Sequence, residues 1–183
     1  MGEEYAEDAP FLYFVSHTDP SLITAVKEGR KKDFSAFHLE GEFVDPFSTD
    51  TFHQCVLNWE KQHEGEHKVL RELYRNLILL RKSVPALKKL DKTNLETFII
   101  EEDKILVLRR GSNDEQILCL FNFNETNVTF QIPFEGSWQK ILNSADEQWM
   151  GLGSTISEEL TSQQTATLVG QSFVLYESKK LAI

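Results

Sequence analysis

The chain has 183 residues, of which 40% are hydrophobic and 11% aromatic, enough to bury the core of one or two domains. Its formal net charge is −10, and its basic clusters at residues 30–32 and 88–89 are short and mixed with acids, which argues against a nucleic-acid partner. No stretch approaches the roughly 18 consecutive apolar residues of a membrane-spanning helix, so no membrane partner is expected. Cys55 and Cys119 lie in apolar surroundings, as buried reduced thiols do, which favours a cytoplasmic protein.

The first predicted element is a helix over residues 21–37. Asp19-Pro20 is a helix start signal, and Leu22 and Val26 recur after it at helical spacing. Residues 38–58 combine a proline with several serine, threonine and aspartate residues and scattered phenylalanines. That composition is typical of a long ordered loop.

A second and clearer helix is predicted over residues 66–80. Its apolar stripe consists of Val69, Leu70, Leu73, Leu77 and Leu80, with Tyr74 and Ile78 widening it. Glu72 and Arg75 fall on the opposite, solvent-facing side. Pro85 ends the helix shortly afterwards, because proline cannot continue one.

After about residue 92 the hydrophobic period becomes two, which indicates strands. The predicted strands cover residues 97–100, 104–109, 116–123, 128–133, 138–142 and 172–176. Turn-forming residues separate several of them, for example the Gly-Ser-Asn-Asp of residues 111–114. Six or more short antiparallel strands at hairpin spacing predict a β-sandwich of about 90 residues.

The opening Met-Gly-Glu-Glu-Tyr of residues 1–5 resembles a turn that leaves the last barrel strand in the α-amylase superfamily, glycoside hydrolase family 13. The Ala-Pro-Phe-Leu-Tyr-Phe that follows at residues 9–14 is most similar to the malto-oligosyltrehalose trehalohydrolase family. Residues 73–87, Leu-Tyr-Arg-Asn-Leu-Ile-Leu-Leu-Arg-Lys-Ser-Val-Pro-Ala-Leu, resemble the final barrel helix of the same superfamily. The Leu-Asn-Trp of residues 57–59 is a further similarity to the trehalohydrolases.

The resemblance implies an α+β fragment that carries the end of a (β/α)8 barrel with its last helix, followed by an antiparallel β-sandwich. Residues 1–92 would be the remnant of the catalytic barrel and residues 93–183 the sandwich domain. In such enzymes the nucleophile, the general acid and the transition-state-stabilising carboxylate come from earlier strands, and none of the three maps onto this chain. The resemblance therefore implies no catalytic residue here, no cofactor and no bound metal.

The resemblance also implies the parent activity, which is hydrolysis of the α-1,4 bond that releases trehalose from maltooligosyl trehalose. The parent would be a retaining α-glycosidase, and this chain is expected to be inactive alone. The alternative is a non-catalytic module that binds an α-glucan or another partner. A surface that faced the missing barrel would expose apolar residues in residues 1–60, so self-association or disorder of that region is also expected.

Four carboxylates near the start, Glu3, Glu4, Glu7 and Asp8, invite a glycosidase interpretation. No segment before them builds the apolar pocket that raises the pKa of a general acid, so a solvated acidic face is expected instead. The resemblance implies that the turn lies at the rim of a sugar cleft. Glu3, Glu4 and Tyr5 are therefore candidate substrate contacts, the alternative being a purely structural turn.

The tryptophans are the remaining sugar candidates, because indole rings stack on sugars. Trp138 lies in a predicted strand and is expected in the sandwich core, whereas Trp59 is expected to pack under the long helix. Trp149 precedes Met-Gly-Leu-Gly at residues 150–153 in a predicted loop, and we take it as a candidate sugar contact.

The letters His-Glu-Gly-Glu-His at residues 63–67 match the H-E-x-x-H zinc pattern. Gly65 weakens a helix at this point, and no histidine follows residue 67 to serve as a third ligand. The two histidines are therefore expected to be solvated, with Glu64 and Glu66 near the positive end of the following helix. A metalloprotease ranks behind both the glycosidase fragment and the binding module.

Overall fold

The computed structural model describes residues 1–36, 44–89, 91–112 and 115–179. The helices in these ranges are α1 (Pro20–Ala36), α2 (Thr49–Gln54), α3 (Gly65–Ser83) and α4 (Pro85–Lys88). The strands are β1 (Leu95–Ile100), β2 (Ile105–Ser112), β3 (Glu115–Asn122), β4 (Val128–Gln131), β5 (Ser137–Asn143), β6 (Glu159–Thr161), β7 (Thr165–Leu168) and β8 (Ser172–Ser178). The chain divides into two compact units, Met1–Lys68 and Val69–Ile183, called unit 1 and unit 2 below. The domain boundary predicted after residue 92 stays a prediction.

Helix α1 forms where the sequence predicts it, one residue earlier at its start. The Asp19 carboxylate accepts hydrogen bonds from the backbone N–H and the hydroxyl of Ser21, at 2.8 and 2.6 Å. These bonds satisfy a donor that the first turn of a helix leaves free, and they lower the pKa of Asp19. The last residue of the predicted helix, Phe37, lies outside the described residues.

The loop predicted over residues 38–58 is wrong for the segment that forms α2. Ser48 caps this helix, because its hydroxyl accepts a hydrogen bond from the backbone N–H of Asp50 at 3.2 Å. Thr51 within α2 is buried and donates its hydroxyl to the carbonyl of Asp45 at 2.7 Å. Residues 38–43 of the predicted loop lie outside the described residues.

The predicted sandwich is confirmed. Six strands form one sheet in the order β1-β2-β3-β8-β5-β6, β4 and β7 form a second sheet, and all neighbours are antiparallel. The core contains Leu118, Leu120 and Tyr176 from the large sheet together with Phe130 and Leu168 from the small one. Burial alternates along β4 and β6, whereas β3 and β8 also bury residues on their other face.

The other face of the large sheet carries α3 and α4. The predicted helix of residues 66–80 is confirmed as α3, which continues to Ser83, and Pro85 starts the short helix α4. The α3 residues Leu73, Leu77 and Leu80 pack with Ile117, Leu142 and Leu175 of the sheet. In the described part of the chain, no helix combines the length and the apolar content needed to cross a membrane.

Candidate functional site

The predicted sugar contacts at the start of the chain lie on one short 3-10 turn, Glu3–Tyr5. Gly2 precedes it with a φ of 77°, and a Cβ on Gly2 would lie 2.6 Å from the Cβ of Glu7. Only glycine meets both requirements without strain. Glu3 and Glu4 are exposed, whereas Tyr5 is 1% exposed. The turn therefore presents two carboxylates to solvent and buries its aromatic ring.

The solvated acidic face expected here is wrong for Glu7, whose side chain is only 2% exposed. Its carboxylate accepts hydrogen bonds from the backbone N–H groups of the next two residues, at 2.8 and 3.1 Å, and of Asn58, at 2.6 Å. The Tyr5 hydroxyl donates to it at 3.2 Å, and the Lys61 ammonium lies 3.6 Å away. Glu7 thus ties the opening turn to the segment around residue 60.

This environment sets the charge of Glu7. Burial by itself would raise the pKa of Glu7, but the hydrogen bonds from backbone N–H groups and from Tyr5 outweigh it and lower the pKa to about 2. The pKa of Tyr5 moves upward, through burial and through its hydrogen bond to Glu7. Glu7 is therefore a permanently ionised structural anchor at neutral pH, the opposite of a general acid, which must hold a proton.

The H-E-x-x-H letters do not form a helical pair. His63 ends a separate 3-10 turn, and α3 begins only at Gly65, which has a φ of 53°. His63 is exposed as expected, but the expectation is wrong for His67, which is half-buried with Nδ1 2.8 Å from the carbonyl oxygen of Tyr5. A carbonyl only accepts, so Nδ1 carries the proton. Within the described ranges no three potential ligands come together in a way that could hold a metal ion.

The tryptophans occupy three different environments. Trp138 is 1% exposed in the sandwich core, as predicted. The packing expected for Trp59 is wrong, because Trp59 is 57% exposed, with its ring centroid 6.3 Å from that of Tyr5. Trp149 is half-buried at the end of the 3-10 turn Glu147–Trp149 in unit 2. It belongs to a different unit from the opening turn.

Trp149 lines an open cleft of about 240 Å³ within unit 2. Its other polar groups are not predictable from the sequence. They come from α3, from β5, from the turn and from the residue before β6: Asn76, Lys140, Asn143, Asp146, Gln148 and Glu158. The one available signal was Asn76, an uncharged polar residue beside the apolar stripe of a helix. Lys140 and Glu158 meet only through the pairing of β5 with β6.

A second cleft, of about 570 Å³, lies in unit 1 and is largely apolar. It is lined by Phe14, Val15, Ser16, His17, Pro46, Phe47, Ser48, Thr49 and Phe52. The backbone N–H of Val15 donates to the carbonyl of Pro46 at 3.0 Å, which holds the two walls together. Phe14 and Phe52 meet edge to face with their ring centroids 5.3 Å apart. The polar residues Ser16 and His17 therefore border an aromatic surface.

The sheet topology and the sequence comparisons define the class of protein. The family described as "Alpha amylase, C-terminal all-beta domain" matches residues 98–179, the segment that contains nearly all of the sandwich. A crystal structure of a candidate alpha amylase from Salmonella typhimurium covers 98% of this chain with a TM-score of 0.73 and 26% identity. The resemblance to the α-amylase superfamily that the sequence predicts is thus confirmed, and residues 98–179 match the C-terminal domain of that superfamily.

Within that superfamily the chain is similar to malto-oligosyltrehalose trehalohydrolases. The one from Rhizobium sp. (strain M-11) is 33% identical over 134 residues, covering 73% of this chain and 22% of the relative. The one from Deinococcus radiodurans is 32% identical over 159 residues, covering 84% of this chain and 26% of the relative. The chain thus spans about a quarter of the length of these relatives, and 27% of the Salmonella protein.

Proposed function

We propose that this chain is the C-terminal part of a glycoside hydrolase that releases trehalose from maltooligosyl trehalose by hydrolysing an α-1,4 bond. Its role there is structural, and the catalytic carboxylates belong to the parent enzyme's barrel. The names of the Rhizobium and Deinococcus relatives support the activity. Their length, about four times the part that matches, supports a larger parent.

The observation that carries the proposal is the second apolar surface of α3. One side of this helix packs on the sheet through Leu73, Leu77 and Leu80. Ile78 and Leu79 are nonetheless 50% and 57% exposed. A helix with apolar residues beyond the stripe it buries is one that packs on both sides. We therefore propose that α3 is the last helix of a (β/α)8 barrel, packed between that barrel and the sandwich.

Unit 1 supports the same proposal through its exposed aromatic side chains. Phe11 is 81% exposed, and four other aromatic residues, Tyr13, Phe14, Phe52 and Trp59, are each more than 40% exposed. Large exposed apolar surfaces are typical of interaction sites rather than of solvated faces. We propose that the remaining barrel covers this surface in the parent enzyme. Glu3 and Glu4 would then lie at the rim of its sugar cleft.

The proposal also includes the absence of catalytic activity from this chain by itself. Glycosidases use one carboxyl group that keeps its proton and a second that is ionised. The most buried carboxylate of unit 1 that could have served, Glu7, is ionised, with every hydrogen-bonding direction engaged by the protein. We expect no trehalose from this chain alone. Reduced thiols at Cys55 and Cys119, both free, fit the cytoplasmic location proposed for the enzyme.

A chimera tests the proposal directly. The segment of the Deinococcus radiodurans relative that matches this chain is replaced by the corresponding residues of this chain, and trehalose release from maltooligosyl trehalose is measured. We expect the chimera to release trehalose and the isolated chain to release none. A chimera with native circular dichroism that forms no trehalose, or turnover by the isolated chain, would contradict the proposal.

Two variants of the chimera test the role of α3. Leu79→Asp places a charge on the exposed apolar surface of the helix and is expected to reduce soluble, active chimera at least tenfold. Arg75→Asp is the matched control, because the Arg75 side chain is 70% exposed on the same helix. We expect the control to keep activity within about twofold, since surface substitutions away from packed groups change stability little.

A non-catalytic α-glucan-binding module is the second candidate. The observation that favours it is the cleft of unit 2, which combines an indole ring with several polar side chains. Binding of glucan by this chain, together with a chimera that folds but lacks activity, would favour this candidate over the first.

A further inference from the structure

The cleft at Trp149 lies on the sandwich unit and has no role in the proposed chemistry. From its geometry we infer that it is a subsite for one neutral glucosyl unit of an α-glucan. The identity of the sugar as α-glucosyl rests on the proposed function. The existence of a neutral polyhydroxyl site does not rest on the proposed function, because it follows from the residues that line the cleft.

The loop that carries Trp149 is held in place before any ligand arrives. Asn143 is 1% exposed, accepts the backbone N–H of Ala145 at 3.0 Å and donates to the Asp146 carboxylate at 3.0 Å. The Asp146 carbonyl in turn accepts the N–H groups of Trp149 and Gly151, at 2.9 and 3.1 Å. A Cβ on Gly151 would lie 2.2 Å from the carbonyl oxygen of Ala145, so the turn tolerates only glycine there. A ligand therefore meets a preformed site.

The charges around the cleft select a neutral ligand. The Lys140 ammonium, whose side chain is 12% exposed, forms an ion pair with Glu158 at 2.6 Å and also reaches the carbonyl of Ile156 at 3.4 Å. Its charge is thus engaged, and Asp146 adds a further carboxylate beside it. An anion would meet two carboxylates and no free cation among the described lining residues. A hydroxyl group, which both donates and accepts, can bond to each of them.

Trp149 supplies the one aromatic ring among the described residues that line the cleft. The ring is half-buried, so part of it stays accessible to a ligand. Asn76 and Gln148 add amide groups beside the ring. Six of the nine lining residues are polar or charged, a composition that suits a ligand with several hydroxyl groups.

The size of the cleft limits the ligand to a short one. At about 240 Å³ it is smaller than the roughly 300–1,000 Å³ of sites for drug-sized molecules. It therefore suits one sugar unit of a chain, with the neighbouring units in solvent. Such a contact is weak, with a Kd on the order of 1 mM, and becomes useful when a polymer brings many units near the protein.

Tryptophan fluorescence of the full chain provides the test. Maltotriose is titrated into the wild-type protein and into Trp149→Phe and Trp59→Phe variants. We expect a saturable change in the wild type and in Trp59→Phe, and none in Trp149→Phe. Trp59→Phe is the matched control because it removes the other accessible indole, while Trp138 is buried in all three proteins. Loss of the signal in Trp59→Phe with retention in Trp149→Phe would overturn the inference.

A second variant separates binding from the shape of the loop. Asn76→Leu removes an amide from the α3 side of the cleft without touching the turn. We expect this variant to bind maltotriose at least tenfold more weakly, as measured by calorimetry. We expect its unfolding temperature to be the same as that of the wild type. Equal affinity of Asn76→Leu and wild type, or no binding by the wild type up to 50-fold above the expected Kd of about 1 mM, would overturn the inference.

The maltotriose titration and the chimera assay test the subsite and the proposed function separately. An active chimera made from a chain that does not bind maltotriose leaves the proposed function standing and removes the subsite. Maltotriose binding through Trp149 together with an inactive chimera supports the subsite and contradicts the proposed function. Sodium phosphate at the same concentrations serves as the anionic probe, and a response to phosphate equal to that to maltotriose would contradict a neutral site.

Discussion

Unit 1 and unit 2 are stabilised in different ways. In the described part of unit 1, Tyr5 is the only buried aromatic side chain, and polar contacts around Glu7 and Asp45 accompany contacts between exposed rings such as Phe14 and Phe52. Unit 2 has a continuous core between two sheets and a second cluster under α3. Because hydrophobic burial dominates folding, we expect unit 2 to be stable by itself, and we propose that unit 1 is stabilised by a covering partner.

The largest expected effect is loss of core packing in unit 2. Leu120→Ala removes a side chain that is 0% exposed and should lower the free energy of unfolding by about 3 kcal/mol, through lost burial and a cavity. Phe11→Ala in unit 1 is the comparison, because Phe11 is 81% exposed. We expect its effect to stay within about 0.5 kcal/mol. Urea unfolding measures both, and equal effects would remove the contrast between the units.

A smaller effect is expected on self-association. We expect the isolated chain to self-associate through the exposed apolar side chains of unit 1, and replacement of Phe11, Val56 and Trp59 by serine to raise the dissociation constant about tenfold, or about 1.4 kcal/mol. Leu152→Ser in unit 2 is the control, since Leu152 is 95% exposed. Sedimentation equilibrium distinguishes them. A wild-type chain that stays monomeric at high concentration would contradict the prediction.

The last expected effect is a loss of stability of unit 1 that is confined to acid pH. The folded pKa of Glu7 is about 2 and the unfolded value about 4.5, so its contribution to stability is present above pH 4.5 and is lost as the pH falls toward 2. Glu7→Gln should remove this pH dependence from unit 1. Fluorescence of Trp59, whose ring lies 6.3 Å from that of Tyr5, reports on the local unfolding.

Asp91→Asn provides the matched control for Glu7. The pKa of Asp91 is also about 2, because its carboxylate accepts hydrogen bonds from Thr93 and Asn94, but Asp91 belongs to unit 2. We expect this variant to leave the acid transition of the Trp59 signal unchanged. The same transition in Glu7→Gln and in wild type would show that Glu7 does not anchor unit 1.

The sequence predicts those elements whose hydrophobic residues are large, numerous and close together along the chain. The stripe of α3 and the apolar runs of β2, β3 and β8 are strong signals because their large side chains pack in the two core clusters. Strands β6 and β7 escape prediction because they are short and polar, with Leu160, Ala166 and Leu168 as their buried positions. Their conformation depends on pairing with strands that are distant in the sequence. Helix α2 escapes for another reason, since its cap Ser48 lies among polar residues whose composition is equally typical of a loop.

The candidate sites show the same division. Gly2 and the acidic residues near it are recognisable from the opening motif, whereas the anchoring role of Glu7 depends on Asn58 and Lys61, more than fifty positions away. Trp149 was identifiable as a loop tryptophan. The groups that surround it, among them Asn76 and Glu158, meet only in the folded unit. Residue types were therefore predictable, and their neighbours were not.

Strand β8 lies between β3 and β5, in the middle of the large sheet, although it is the last of the eight strands to be synthesised. Its partner β3 ends at Asn122, so a ribosome at about 5–20 residues per second needs at least a few seconds to deliver the sequence that completes the sheet. During that interval Leu118 and Leu120 lack their neighbours on β8, Tyr176 and Val174. We therefore expect the nascent chain to expose this part of β3 until residue 178 has been made, and slower translation over residues 123–178 to lower the yield of folded protein.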